Sequence, residues 1–349
     1  MTEKCCEAMI KKLIKNQIRK TGTYRALEIE KNRLETQVNK LQKDKDNYYS
    51  DKLIEIQNLK DHVKRIHNEK LELKQLINNL KAENKSLKQV YLENNVITSQ
   101  DYGKLTIIIP YRKTDDPERE ENVDITLRYL SKIGIKNLIL SEHADETSQN
   151  YFMNKYGNLF DSFRFIFNNA NGDLFNKAHA INKGVVASKT PYFSIVDIDC
   201  LTKKENIDLA IYLLEKGFEV VHPFNRVIKD IVNKGSFRKE HDFQTVESPP
   251  QYRDWADGGI VFWNKSAFIG IGMKNEYFSG WGGEDNEIIL RANLCQLKQV
   301  RIDETLYHLY HDRPQIRTKN NVEQTRKVEQ IKTKEDLLNE IKQWPWVKG

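Results

Sequence analysis

The 349-residue sequence predicts an α/β fold, a parallel sheet flanked by helices, preceded by a long coiled-coil helix. Three observations carry that prediction. Residues 23–96 contain no proline, and apolar side chains recur there every seven positions. From residue 104 to 315, short apolar runs alternate with helical ones. Several of those runs break off into charged residues, where open α/β sheets bind ligands.

Taken in order, residues 1–22 read as a basic amphipathic helix. Met9, Ile10, Leu13, Ile14 and Ile18 share a face, and Lys4, Lys11, Lys12, Lys15, Arg19 and Lys20 outnumber Glu3 and Glu7. Two readings stand: peripheral contact with an anionic membrane, or packing on the chain's own body or on a partner helix. Residues 23–98 form the coiled coil. Leu27, Leu34, Leu41 and Tyr48 make one series, and Leu59, Ile66, Leu73, Leu80 and Leu87 make another. A stutter through Lys45 and Lys52 joins them. Ile56, Val63 and Ile77 at a with leucine at d favour a parallel homodimer, and Asn84 helps fix the register.

The third segment is residues 104–315. "LTIIIPY", "NLILSEH", "FRFIFNN" and "YFSIVDIDC" read as strands, with helices through "NVDITLRYLSKI" and "NKAHAINKGVVAS" between them. Residues 316–349 form a helical tail. Thr333 and Asp336 have capping-box spacing, and Trp344 and Trp346 are expected to anchor the tail on the preceding domain.

Composition narrows the function. The net charge is +6 and the pI about 8.8, which suits anionic partners. No basic patch has interleaved aromatics, so nucleic acid is not expected as a partner. No apolar run reaches the roughly 18 residues of a membrane span. The expected location is cytoplasmic, peripheral at the inner face of the plasma membrane if residues 1–22 bind lipid. Cys5, Cys6, Cys200 and Cys295 make neither a disulfide framework nor a metal spacing.

The candidate chemistry lies at strand ends. Asp197 and Asp199 follow a buried strand, and period two would put both on one face. Two such carboxylates suit a hard divalent cation that also binds phosphate oxygens, although solvated loop acids give the same pattern. His308 and His311 are further ligands. Three apart in a strand they face opposite sides, so one reaches the metal unless the chain bends there. Imidazole beside carboxylate favours Mn²⁺, with Mg²⁺ as the alternative. Arg112 ends the first strand without a glycine fingerprint or a Walker lysine loop, which disfavours dinucleotide and P-loop chemistry. Gly258 and Gly259 permit close backbone approach. "GWGGEDNE" at 280–287 puts glycines, Trp281 and acids together: a stacking platform leading into Glu284 and Asp285 at a helix start. A capped glycine turn with acids in the first helical turn reads equally well, and Glu287 is expected on the helix surface.

Together these motifs resemble the β-1,4-galactosyltransferase family and the related bacterial chondroitin-polymerase type of glycosyltransferase. The carrying residues are "IIIPYR" at 107–112, "FNKAHAINKG" at 175–184, "DID" at 197–199, "GG" at 258–259, "GWGGED" at 280–285 and "HLYHDR" at 308–313. The resemblance implies a GT-A fold, a Rossmann-like mixed sheet, over residues 104–315. It implies an inverting, metal-dependent transfer of galactose or N-acetylgalactosamine from a UDP-sugar to an oligo- or polysaccharide acceptor, in bacterial capsule or surface polysaccharide synthesis. Pro110, Tyr111, Arg112, Phe175, Lys177, Asp197, Gly258 and Gly259 would shape the donor side. Asp199 and His311 would hold the metal with help from Asp197 and His308. Trp281, Gly282 and Gly283 would face the sugars, Glu284 would orient hydroxyls, and Asp285 would be the general base. The competing reading is a non-catalytic coiled-coil scaffold with a degenerate sugar-binding domain.

Overall fold

The computed structural model describes residues 27–40, 55–72, 74–75, 102–280, 282–312 and 319–348, in two units, Met1–Thr98 and Ser99–Gly349. The expected basic helix of residues 1–22 lies outside the described residues, as do the heptad positions Leu41, Tyr48, Leu80, Leu87 and Tyr91.

In the first unit, helix α1 spans 27–40 and helix α2 spans 55–72. Their buried apolar residues, Leu34, Ile56 and Ile66, are heptad or seam positions. Lys70 forms an ion pair with Glu28 of the same chain. In one unbroken helix these residues would stand about 63 Å apart. The two helices are therefore neighbours within one chain, which corrects the expected single rod. A rod would have to place Lys45 and Lys52 in its apolar seam, and burying unpaired cations is costly.

The second unit is built on strands β1 (Leu105–Tyr111), β2 (Asn137–Ala144), β3 (Ser162–Asn169), β4 (Tyr192–Val196), β5 (Cys200–Leu201), β6 (Val220–His222), β7 (Val227–Ile231), β8 (Gln251–Tyr252), β9 (Ile260–Asn264), β10 (Gln299–Arg301) and β11 (Thr305–Leu309). Helices α3 (Pro117–Lys132), α4 (Gln149–Tyr156), α5 (Lys177–Ala187), α6 (Lys204–Glu215), α7 (Lys234–Glu240), α8 (Lys265–Gly270) and α9 (Glu284–Leu294) connect them. The tail holds α10 (Lys319–Gln330), α11 (Lys334–Ile341) and α12 (Pro345–Lys348).

The larger sheet has the order β10-β6-β9-β4-β1-β2-β3, with β9 antiparallel to both its neighbours. It is the mixed sheet that the resemblance implies, and the antiparallel β9 corrects the wholly parallel sheet expected from the alternation of runs. All seven residues of β1 are buried, as a central strand covered on both faces requires. The chain runs outward from β1 through β2 to β3, then returns with β4 on the other side of β1. That reversal opens a crevice past the carboxyl ends of β1 and β4. Tyr111 and Arg112 leave on one side of it, Asp197 to Asp199 on the other.

The smaller sheet has the order β5-β11-β7-β8. Its short β5 follows the aspartates at once and pairs with β11, so that His308 stands opposite Cys200. A local pairing thus carries a histidine from more than a hundred residues away to the crevice.

The tail packs behind α9, as its tryptophans predict. Trp344 is 2% exposed and lies under the Arg291 guanidinium, 5.0 Å from ring to Cζ. Trp346 Nε1 donates to the Gly272 carbonyl at 3.1 Å. Thr333 caps α11, accepting from the Asp336 N–H at 3.1 Å.

Candidate active site

Strand β4 stops at Val196, and residues 197–200 form a turn in which Cys200 N–H donates to Asp197 O at 2.9 Å. The turn overrides period two, so the aspartates point to different partners. Asp199 Oδ2 meets His311 Nε2 at 2.8 Å and His308 Nε2 at 3.8 Å. Asp197 instead pairs with Lys177 at 2.9 Å. Strand β11 ends at Leu309, and the chain leaves the sheet before His311. The bend brings both imidazoles to Asp199.

The donor set fits a divalent cation. His308 Nδ1 donates to Asp230 Oδ1 at 2.8 Å, and His311 Nδ1 donates to the Asp312 carbonyl at 2.9 Å. Each ring then turns its Nε2 toward Asp199, where imidazole nitrogen and carboxylate oxygen together offer the donor set of a divalent cation. Ligating groups of Asp199, His308 and His311 lie within 4.8 Å of one another, and the oxygens behind the rings fix their tautomers as metal sites require. Asp197 lies outside that cluster of three.

Lys177 opens α5, placed by Asn176, whose side chain caps the helix. Its ammonium sits 3.0 Å from Asp285 Oδ2 and 3.5 Å from Glu284 Oε1, besides Asp197. Burial pulls the Lys177 ammonium down in pKa, but Asp197, Asp285 and Glu284 raise it well above the ordinary value. Burial raises the Asp197 carboxyl to about 6 against the pull of Lys177. Burial also pushes Asp285 up, but Lys177 and Lys274 outweigh it and hold this carboxyl well below the usual range.

Lys274 was invisible to sequence reasoning. It is 2% exposed, donates to Asp285 Oδ1 at 2.5 Å and reaches the Glu284 carbonyl at 3.2 Å. Nothing in "GMKNEY" marks this lysine, because its partner comes from the next helix. Glu287 was misread. It is fully buried and bidentate to Arg291, at 2.8 and 2.7 Å, under the tail. A second acid network was also missed: Asp257 takes Arg226 at 3.2 Å, Arg301, and Asn286 at 2.9 Å, bracing the two loop glycines before β9.

Those glycines are steric requirements. A Cβ at Gly258 would lie 2.0 Å from Asp285 Oδ2. Gly259 has φ +86°, and a Cβ there would meet Leu306 and Cys200. Gly282 and Gly283, with φ of +95° and +102°, turn the chain into α9. Glu284 is buried, and its Oε2 has no hydrogen-bond partner among the described residues. Trp281, the expected platform, lies outside the described residues. On the other wall the Arg112 guanidinium lies 5.7 Å over the Phe175 ring, beside Pro110 and Tyr111. Arg112, Phe175, Lys177, Asp197, Asp199, Gly258, Gly259, Glu284, Asp285, His308 and His311 line one open cavity of about 390 Å³, large enough for a small polar ligand.

The crevice at the sheet's switch point thus holds a carboxylate–imidazole cluster and, across the same cavity, an acid pair. Residues 242–312 match the family model described as the N-terminal domain of galactosyltransferase. That segment contains Gly258, Gly259, Glu284, Asp285, His308 and His311 of the site, while Arg112, Phe175, Lys177, Asp197 and Asp199 lie before it. No curated protein matches the chain in sequence. Among solved structures, the catalytic domain of Drosophila β-1,4-galactosyltransferase 7 in complex with xylobiose is 17% identical, covering 66% of this chain and 82% of that one, with a TM-score of 0.42. A mutant of the same enzyme with manganese, UDP-Gal and xylobiose gives 17% identity, the same coverage and a TM-score of 0.43. A mycobacterial protein gives 12%, 65% and 72% coverage, and 0.40.

Proposed function

We propose that the chain is an inverting glycosyltransferase that uses a UDP-sugar, with galactose or N-acetylgalactosamine as the leading donor sugars and a saccharide hydroxyl as acceptor. The observation that supports it most is the Asp199–His308–His311 cluster facing Glu284 and Asp285 across one cavity. Those three residues would hold Mn²⁺, or Mg²⁺ in its place. When bound, the cation neutralises charge developing on the departing diphosphate.

The chain's own groups do the rest. Lys177, free to turn from the acids toward the cavity, meets phosphate oxygens. Arg112 and Phe175 offer a cationic and an aromatic face to the nucleotide. Buried Glu284 Oε2 is an acceptor without a donor, which a sugar hydroxyl supplies. Asp285 receives the proton as the hydroxyl oxygen attacks the anomeric carbon and the bond to diphosphate breaks. Attack opposite the leaving group inverts that carbon.

The physiological setting that we propose is synthesis of a bacterial surface or capsular polysaccharide, at the cytoplasmic side of the membrane, by a homo-oligomer joined through residues 23–98. The test is a panel of UDP-sugars with Mn²⁺ or Mg²⁺, scored for UDP release with and without saccharide acceptors. Metal-dependent release from one or two donors supports the reading. A pure, folded protein that binds no UDP-sugar with either metal favours the scaffold alternative.

A further inference from the structure

Asp285 is gripped at both oxygens, by two lysines in unlike settings. Lys177 lies on the cavity side and shares its ammonium among Asp197, Glu284 and Asp285. Lys274 lies behind, 2% exposed, and its backbone is fastened as well. Its N–H donates to Asn182 Oδ1 at 2.9 Å, and its carbonyl accepts from Asn182 Nδ2 at 2.9 Å. Asn182 is itself buried in α5. Lys274 is thus tied to the same helix that carries Lys177, and it has no route into the cavity.

We infer that Lys274 is a positioning residue that holds Oδ1 of Asp285 and leaves Oδ2 as the oxygen that receives the acceptor's proton. The inference rests on the transferase reading above and assigns one atom within it. Oδ2 is the edge that faces Gly258, where even a methyl group would collide with it. It is also the edge that Lys177 occupies while no phosphate competes for that ammonium. Once Lys177 turns to phosphate oxygens, Oδ2 is free and Oδ1 is not. The proton then passes from the acceptor hydroxyl to Oδ2, the new bond forms from that hydroxyl oxygen to the anomeric carbon, and the electron pair of the broken bond leaves with the diphosphate. The cost of this arrangement is a less basic carboxylate. Its gain is a fixed carboxylate plane.

The test is Lys274→Met, with Lys274→Gln as the variant that keeps a donor toward Oδ1 without charge. In Lys274→Met we expect kcat for UDP release to fall about tenfold or more, with donor KM within about twofold of the parent, since Lys274 does not face the cavity. The groups around Asp285 are Lys177 from α5, Asp197 past β4, His222 from β6 and its own neighbour Glu284. With these unchanged, loss of the Lys274 charge moves the acid limb of the kcat profile upward by about one pH unit or more; a packing defect alone leaves that limb in place. A crystal structure of Lys274→Met, which has no donor for Oδ1, decides the point without turnover. Asp285 rotated away from its parental plane supports the inference; Asp285 unmoved overturns it, as does an acid limb that stays put. If the parent releases UDP from no donor, the transferase reading fails, and the crystal structure still tests the hold on Asp285.

Discussion

The site turns on small placements of single side chains. Asp230 fixes the His308 tautomer through Nδ1. Asp230→Ala is expected to weaken Mn²⁺ binding by about 10–100-fold in calorimetry, with the fold intact. Gly258 tolerates no side chain, because a Cβ would stand 2.0 Å from Asp285 Oδ2. Gly258→Ala should therefore abolish most UDP release while circular dichroism stays parental. The same scale shows what could be read from the sequence. His311, Asp199, Glu284 and Asp285 carry recognisable neighbours, and the structure brings them to one cavity. Lys274 does not, since a lone buried lysine is defined by a partner distant in space. The separation of Asp197 from Asp199 was also hidden, because a turn, not a strand, follows Val196.

At the scale of elements, helix α9 is the hinge of the account. Its first turn points Glu284 and Asp285 at the cavity, and its back buries Glu287 and Arg291 against the tail. Glu287→Ala leaves the Arg291 guanidinium buried and unpaired. The expected loss is about 3–5 kcal/mol in urea unfolding of the second unit; a loss below about 1 kcal/mol would mean that the pair is relieved by water. Glu287 was placed on the surface because acids in a first helical turn usually face solvent. The covering helices α11 and α12 come some fifty residues later, and "WPWVKG" alone does not say which face they cover. Residues 23–98 are an element-scale lesson too: the heptads located the buried positions Leu34 and Ile66, but not that α1 and α2 pair within one chain. Sedimentation of the chain with residues 23–98 deleted tests their proposed role. Conversion to a monomer agrees with oligomerisation through this segment, and an unchanged mass places the interface elsewhere.

At the scale of the whole molecule, the β1–β4 reversal sets the crevice; the sequence marked its rim, where apolar runs break off into charged residues, but not the strand order that opens it. The smaller sheet was not foreseen, because β5 and β8 are two residues long and carry no pattern. Stability should follow the buried acid of α3. Burial pushes Asp124 up, but the Tyr156 hydroxyl at 3.1 Å and the charges of Arg128 and Lys155 hold it below its ordinary value. A depressed carboxyl adds stability above its unfolded pKa near 3.9 and loses it as pH falls through the folded value. Urea midpoints should therefore drop between pH 5 and pH 3, in part through Asp124, and Asp124→Asn should flatten that drop. In the proposed reaction one cavity joins a metal-held leaving group to a carboxylate base. The decisive experiment is UDP release from the preferred UDP-sugar, with and without Mn²⁺, by the parent and by Asp285→Asn. We expect release that requires the metal and falls by about 10²-fold or more in the variant. Near-parental turnover of Asp285→Asn, or release indifferent to the metal, would contradict it.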